Sequence, residues 1–281
     1  MILANENAEL YIPDGSPEEQ ALSRTTDLCI AAHQDDIEIM AYAPIIRCYG
    51  RADRYFTGVT VTDGAGSPRS GIYVNFTDEE MQRIRAEEQK RAAEIGKYSA
   101  QLLLAYRSRE VKAPHNQALI GELAEIIMRC APETLYTHNL ADKHDTHVAV
   151  ALNVIRALRQ MPEEKRPKRV ISLEVWRGLD WLCDDDKLPM DTSAHPNVAA
   201  ALLGVYDSQI AGGKRYDLAT IGRRLANATF YASHAVDATD SVSYGLDITE
   251  LVAQELAPEV FIGRYIERFR TDVMNRLAVL S

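Results

Sequence analysis

Apolar and polar positions along this chain switch repeatedly between a strand-like and a helix-like period. Residues 28–32 (LCIAA) are a short apolar run, and residues 56–62 (FTGVTVT) are rich in β-branched side chains, so both read as strands. From Thr77 the stretch TDEEMQRIRAEEQKRAAEIG reads as a helix. Acids fill its first turn, Gly96 stops it, and Met81, Ile84, Ala92 and Ile95 fall on one stripe. Residues 100–105, 134–137 and 169–175 read as three further strands, separated by helices over 117–130 and 146–159. Strands separated by helices of this length predict an α/β chain whose parallel sheet is covered on both faces.

The two ends follow the pattern less closely. Residues 1–26, with Pro13, Gly15 and Pro17, read as an extended polar arm. After Trp176 the periodicity loosens, and a helix is expected over 197–210, closed by Gly212-Gly213. The C-terminal stretch carries Ile262, Tyr265, Ile266, Phe269, Val273 and Leu277 on one face, a stripe expected to pack on the body of the protein. Asp184-Asp185-Asp186 is expected to be solvated, because cation-binding loops alternate their ligands rather than stacking them.

Composition narrows the function classes. The 281 residues are 46% hydrophobic and 26% charged, which is ordinary globular usage. Lys plus Arg is 31 against 41 Asp plus Glu, a net charge of −10, and this disfavours nucleic acid as the main partner. No run of 18 apolar residues exists, so no membrane-spanning helix is expected. The opening MILANENAELYIPDG has neither the basic nor the apolar region of a secretory signal. Cys29, Cys48, Cys130 and Cys183 form no C-x-x-C pair and are too widely spaced for a disulfide framework. These features predict a reduced, soluble, cytoplasmic protein.

The chemistry concentrates in two segments. His33-Gln34-Asp35-Asp36 lies just past the end of the first strand, where open α/β sheets bind ligands. His33 and Asp36, three apart around a turn, can converge on one ion while Asp35 points elsewhere. The second segment, 136–147 (YTHNLADKHDTH), follows another strand and places His144 and His147 on one side of a first helical turn. Each motif alone also fits capping or surface chemistry. Together, opening onto the same sheet edge, they point to one metal held by two His and one Asp with a position left for water.

Other residues weigh against competing chemistries. Ser208 and Ser233 lack a nucleophile elbow, and Gly64-Ala65-Gly66 lacks the third glycine of a dinucleotide fingerprint and reads as a rim. Trp176, Arg177 and Trp181 follow the fifth strand, where stacking on a sugar and burial in the core are both open.

These motifs resemble the LmbE/PIG-L family of zinc-dependent N-deacetylases over about residues 27–175. The anchors are HQDD at 33–36, Arg85-Ala86-Glu87-Glu88 and HDTH at 144–147, with Asp207-Ser208-Gln209 similar to a late family element. The resemblance implies a Rossmann-like three-layer fold with a mostly parallel central sheet. It implies one domain over 1–281, with a 1–26 arm, a 27–175 metal-site core and a 176–281 substrate and packing region. It also implies removal of an N-acetyl group from an amino-sugar or sugar-conjugate amide, with Zn2+ or another divalent transition metal as cofactor. In that pattern His33, Asp36 and His147 are the ligands and Asp35 the general base. His144 is the acid or electrophile, and Arg85 binds substrate. Three positions depart from the family: Gln34 where Pro is usual, Ile37 where many members have an acid that here stands at Glu38, and Thr146 where an acid is usual. The last departure bears on His144, since neighbouring carboxylates orient and tune such histidines. A metal-assisted hydratase or lyase acting on a small unsaturated acid, and a non-catalytic metabolite-binding protein on the same scaffold, are the competing readings. Homo-oligomerisation is open.

Overall fold

Buried parallel strands favour apolar and β-branched side chains on both faces, and the five strand-like segments supply most of them. The computed structural model of the chain describes residues 2–281. In order, its first half holds β1 (Glu9–Tyr11), α1 (Glu18–Ser23), β2 (Asp27–Ala31), α2 (Asp36–Met40), α3 (Tyr42–Cys48), β3 (Phe56–Thr62), α4 (Asp78–Gly96), β4 (Ala100–Tyr106), α5 (Ser108–Val111), α6 (Gln117–Cys130), β5 (Thr134–His138) and α7 (Asp145–Gln160). The second half adds β6 (Arg169–Leu173), β7 (Leu188–Asp191), α8 (Pro196–Gly204), α9 (Asp207–Ile210), α10 (Tyr216–Phe230), β8 (Val242–Asp247), α11 (Thr249–Ala253) and α12 (Pro258–Leu280).

All eight strands join one mixed sheet in the order β1-β4-β3-β2-β5-β6-β8-β7. The central five run parallel, and β1, β8 and β7 add antiparallel pairings at the two edges. Alternate strand residues enter opposite cores. Leu28, Ile30, Val59 and Leu102 pack with α6 and α7, whereas Cys29, Ala31, Phe56 and Tyr136 pack with α2, α3 and α8. The chain runs from β2 through β3 to β4 on one side, then returns to place β5 on the other side of β2. That reversal is the switch point at which α/β sheets open a crevice.

Helix α4 starts on a capping box, in which the Glu80 N–H donates to Thr77 Oγ1 at 3.2 Å and the Thr77 N–H to Glu80 Oε2 at 2.8 Å. Its buried face carries Met81 and Ala92, and also Arg85, Glu88 and Gln89. A helix that buries polar side chains three and four apart needs fixed partners for them, and those partners lie at the crevice.

Four expectations are corrected by the fold. Residues 1–26 are not an arm: β1 pairs with β4, and Ala21 and Leu22 of α1 enter the core. The helix expected over 197–210 is two, α8 and α9, with Tyr206 at the break. The C-terminal stripe packs on the body only through Phe261, Ile262 and Tyr265, and from Ile266 onward its apolar residues are exposed. Asp185 is exposed, but Asp186 pairs with Arg268 of α12 and Asp184 with Lys187 at 2.8 Å, so the acidic triplet is only partly solvated. The four cysteines are free, three of them buried. No helix among the described residues is long and apolar enough to cross a membrane.

Candidate metal centre

Strand β2 ends at Ala31, and the chain turns at once into the short helix α2 that Asp36 begins. The turn is closed by the Asp36 carboxylate, whose Oδ2 accepts the His33 N–H at 2.8 Å. On the other side of the switch point β5 ends at His138, and a loop leads to His144 at the N-cap of α7, with His147 in its first turn. The two segments meet. His33 Nδ1 lies 3.1 Å from Asp36 Oδ2 and 3.1 Å from His147 Nε2, and His147 Nε2 lies 3.2 Å from Asp36 Oδ2.

Three donor atoms in a near-equilateral triangle of this size suit a tetrahedral cation. Bonds of about 2.0–2.1 Å at tetrahedral angles separate ligand atoms by about 3.3 Å. Two other sets of nearby donors exist, His33 with His144 and His147, and Asp36 with His138 and His147. His138 is occupied, because its Nε2 accepts the Ala32 N–H at 2.8 Å while its ring stacks on His147 with centroids 4.0 Å apart. It therefore supports the neighbouring strand and His147 and has no free lone pair for a cation.

Charge is tightly managed at the triangle. Burial pushes the His33 imidazole down to about 4. Burial also works to raise Asp36, but the charge of His147 and hydrogen bonds from both histidines prevail and hold it well below the usual carboxylate range. For His147 burial acts downward, yet Asp36 and Asp142 raise it to about 9. A dense cluster of this kind favours any group that brings positive charge without a proton.

Asp35 is buried beside the triangle with φ 88° and ψ −32°, a backbone posture that L-residues rarely hold. Gln89 of α4 accepts the Asp35 N–H at 3.3 Å and donates at 3.0 Å to Glu38, which also receives Tyr98 at 2.6 Å and Tyr206 at 2.5 Å. Burial pushes the Asp35 carboxyl well above its ordinary range, and the Arg85 guanidinium 3.4 Å away pulls against it. Arg85 Nη2 also donates to the Gln34 carbonyl at 2.6 Å, and Nη1 donates to Ser67 Oγ and, at 3.4 Å, to the Gly64 carbonyl. Gly64 has φ +77°, and a Cβ there would meet Gln34 Oε1 at 2.5 Å, so the loop depends on glycine at that point.

His144 faces the same space, with its ring centroid 5.0 Å from His33 and 6.3 Å from Trp176, onto which it stacks. Its backbone N–H donates to Asp142 Oδ1 at 3.0 Å, and its Nδ1 has no hydrogen-bond partner among the described residues. Burial lowers its pKa, and the neighbouring His147 lowers it further. A cavity of about 670 Å³ opens here, walled by His33, Asp35, Arg85, His144, Trp176 and Tyr216 among others. Gly64 and Gly66 lie on its rim, as the sequence suggested, whereas Trp181 packs against the core.

The six singled-out residues thus converge on one place. Sequence reading missed Asp142, whose Oδ2 lies 3.5 Å from His147 Nδ1, as well as Gln89 and the wall residues Lys214 and Tyr216. The signal for Asp142 was its place in the same loop as the two histidines.

Residues 28–158 match the family model described as PIG-L: GlcNAc-PI de-N-acetylase. That stretch of the chain is similar to the PIG-L family. Among solved structures the fold is shared with the N,N'-diacetylchitobiose deacetylase from Pyrococcus horikoshii, at 15% identity and TM-score 0.63 over 86% of this chain and 90% of that one. The 4-carboxy-2-hydroxymuconate hydratase GalB from Pseudomonas putida KT2440 matches at 16% identity and TM-score 0.62, over 80% of this chain and 96% of that one. A conserved protein from Thermus thermophilus matches at 17% identity and TM-score 0.63, over 79% of this chain and 94% of that one. Against the curated proteins the chain has no match. At these identities the structural likenesses speak for the fold alone, which is the expected Rossmann-like α/β arrangement with a mostly parallel sheet.

Proposed function

We propose that this protein is a metal-dependent N-deacetylase that removes an acetyl group from an amino-sugar or sugar-conjugate amide. The observation that carries the reading is the triangle of His33, Asp36 and His147 with Asp35 and His144 facing the same cavity. Zinc, or another divalent transition metal, held by those three side chains supplies Lewis acidity and lowers the pKa of water to about 7.

The chain's own residues do the rest. Asp35 accepts a proton from the attacking water and hands it to the leaving amine, and its upward-shifted pKa suits both halves of that exchange. His144 donates toward the amide oxygen as negative charge grows there, a contribution of about 3–4 kcal/mol for one well-placed donor. Arg85 holds the Gln34–Asp35 backbone in place. Its two 3.4 Å contacts, to Asp35 and Gly64, are the ones a substrate oxygen can replace. Trp176 lines the cavity, its ring next to His144 and Lys214. Four free cysteines suit a reducing compartment, so we place the enzyme in the cytoplasm.

The test joins metal analysis to an assay. Purified protein should hold about one equivalent of divalent metal, lose most of it in His147→Ala, and release acetate and free amine from N-acetylated sugars. Full metal occupancy in the variant would remove the ligand assignment. Hydration of an unsaturated acid with no amine from any amide would replace the deacetylase with a hydratase.

A further inference from the structure

The cavity carries a charge opposite to that of the protein. The chain has ten more acidic than basic residues, yet five cations line this space: Arg85, Lys112, Lys143, Lys214 and Arg223. Among the described residues its acidic lining is Asp35 and Asp36 alone, both buried at its base and engaged with Arg85 and with the histidines. Lys112 and Lys143 are exposed, and neither forms a salt bridge among the described residues. Lys214 has no acidic partner there either, and its ammonium lies over the Trp176 ring, 5.1 Å from the centroid.

Several cations elsewhere on the surface are paired with acids. Arg51 meets Asp53 at 2.7 Å, Lys90 bridges Glu9 and Glu87, and Lys187 meets Asp184 at 2.8 Å. The three unpaired lysines come from separate segments: the end of α5, the loop before α7 and the turn before α10. Like charges gathered at one mouth repel one another, and a field of one sign in a cleft draws in the opposite charge. Lysine ammonium groups act as point charges and accept a carboxylate or a phosphate without demanding the planar fork that arginine prefers.

We propose that the amide cleaved here carries an anionic group, carboxylate or phosphate, on the part that is not cleaved, and that Lys112, Lys143 and Lys214 hold it. This rests on reading the site as an amide hydrolase. The anion is recognised at the cavity mouth, the sugar lies beside Trp176, and the amide reaches His144 and Asp35. The three lysines therefore set specificity and take no part in the bond-breaking step.

Three matched amides test it: N-acetylglucosamine, its 6-phosphate, and its 3-O-lactyl ether, which carries a carboxylate. Acetate release should give a kcat/KM at least about tenfold higher for one of the charged amides, since several partly exposed charge pairs each contribute modestly. Which of the two leads separates phosphate from carboxylate. In Lys112→Gln/Lys143→Gln and in Lys214→Gln the charged-to-neutral ratio should fall toward one. It should fall also in the wild type as ionic strength rises from about 0.05 to 0.5 M. A wild-type ratio near one, or a ratio unchanged in both variants, overturns the proposal. If no amide is hydrolysed, binding of the same three compounds to the metal-loaded protein decides it by quenching of tryptophan fluorescence. Tighter binding of a charged compound that is lost in the lysine variants keeps the anion site and removes the hydrolase. Equal binding of all three removes the anion site.

Discussion

Asp142 Oδ2 stands 3.5 Å from His147 Nδ1, on the opposite side of the imidazole from the Nε2 that faces His33 and Asp36. The same carboxylate takes the N–H groups of His144 at 3.0 Å and Trp176 at 3.1 Å, so one side chain fixes both the ring and the loop that carries it. The acid missing at Thr146 is thus answered by Asp142, although it serves His147 and leaves the His144 ring without a carboxylate hydrogen bond. Outer carboxylates of this type make the ligand a better donor and fix its tautomer. Asp142→Asn should therefore weaken metal affinity by about 10- to 100-fold while the far-ultraviolet circular dichroism stays unchanged. Competition against a chromogenic chelator measures it, and an affinity within about twofold of wild type would leave His147 oriented by something else.

Asp35→Asn isolates the proton transfer. Asparagine tolerates the left-handed backbone that Asp35 adopts at φ 88°, so the turn should survive and the metal should stay. Turnover should drop by about 10²–10⁴, the usual worth of a positioned base. Metal content and acetate release on the same preparation check it, and near wild-type turnover assigns the base elsewhere.

Tyr206→Phe probes the support behind the site. Its hydroxyl donates to Glu38 Oε2 at 2.5 Å, and without it one oxygen of a fully buried carboxyl loses its donor, at a cost of about 1–3 kcal/mol. Burial raises the Glu38 pKa from 4.5 to about 7, against the pull of Tyr206, Tyr98 and Gln89. Removing one donor raises it further, so the native state is penalised more for ionising Glu38 as pH climbs. The variant's deficit should be flat from about pH 5 to about pH 7 and grow above it, toward about pH 9, where wild-type Glu38 ionises and the variant's does so less readily. Urea denaturation midpoints across that range measure it, and a deficit that does not change with pH would separate Glu38 from the effect.

The sequence revealed the parallel core because its strands are buried on both faces and are rich in apolar and β-branched residues, with few polar interruptions such as Gln101 and Ser172. The edges were hidden for the converse reason. The strand Glu9–Tyr11 is three residues long, and Val242–Asp247 contains Ser243, Gly245 and Asp247, so neither has an apolar run. His33 with Asp36 and His144 with His147 were legible because each pair is three apart, a spacing that local geometry alone brings together. The lysines at the cavity mouth gave no such signal, since only the tertiary fold gathers them. The stripe on the last helix was read correctly as one face. Periodicity cannot say whether anything covers that face, and beyond Tyr265 nothing among the described residues does.

His33 and His147 stand 114 residues apart along the chain. The ligand set therefore cannot exist until the strand Thr134–His138 has docked beside Asp27–Ala31, after the strands Phe56–Thr62 and Ala100–Tyr106 that lie between them in the chain. Loop closure on that scale costs entropy before it returns any contact. A cation held by that triangle would bridge the two segments and slow their separation. It would be set at the middle of the sheet, between β2 and β5, before β6, β8 and β7 extend that edge.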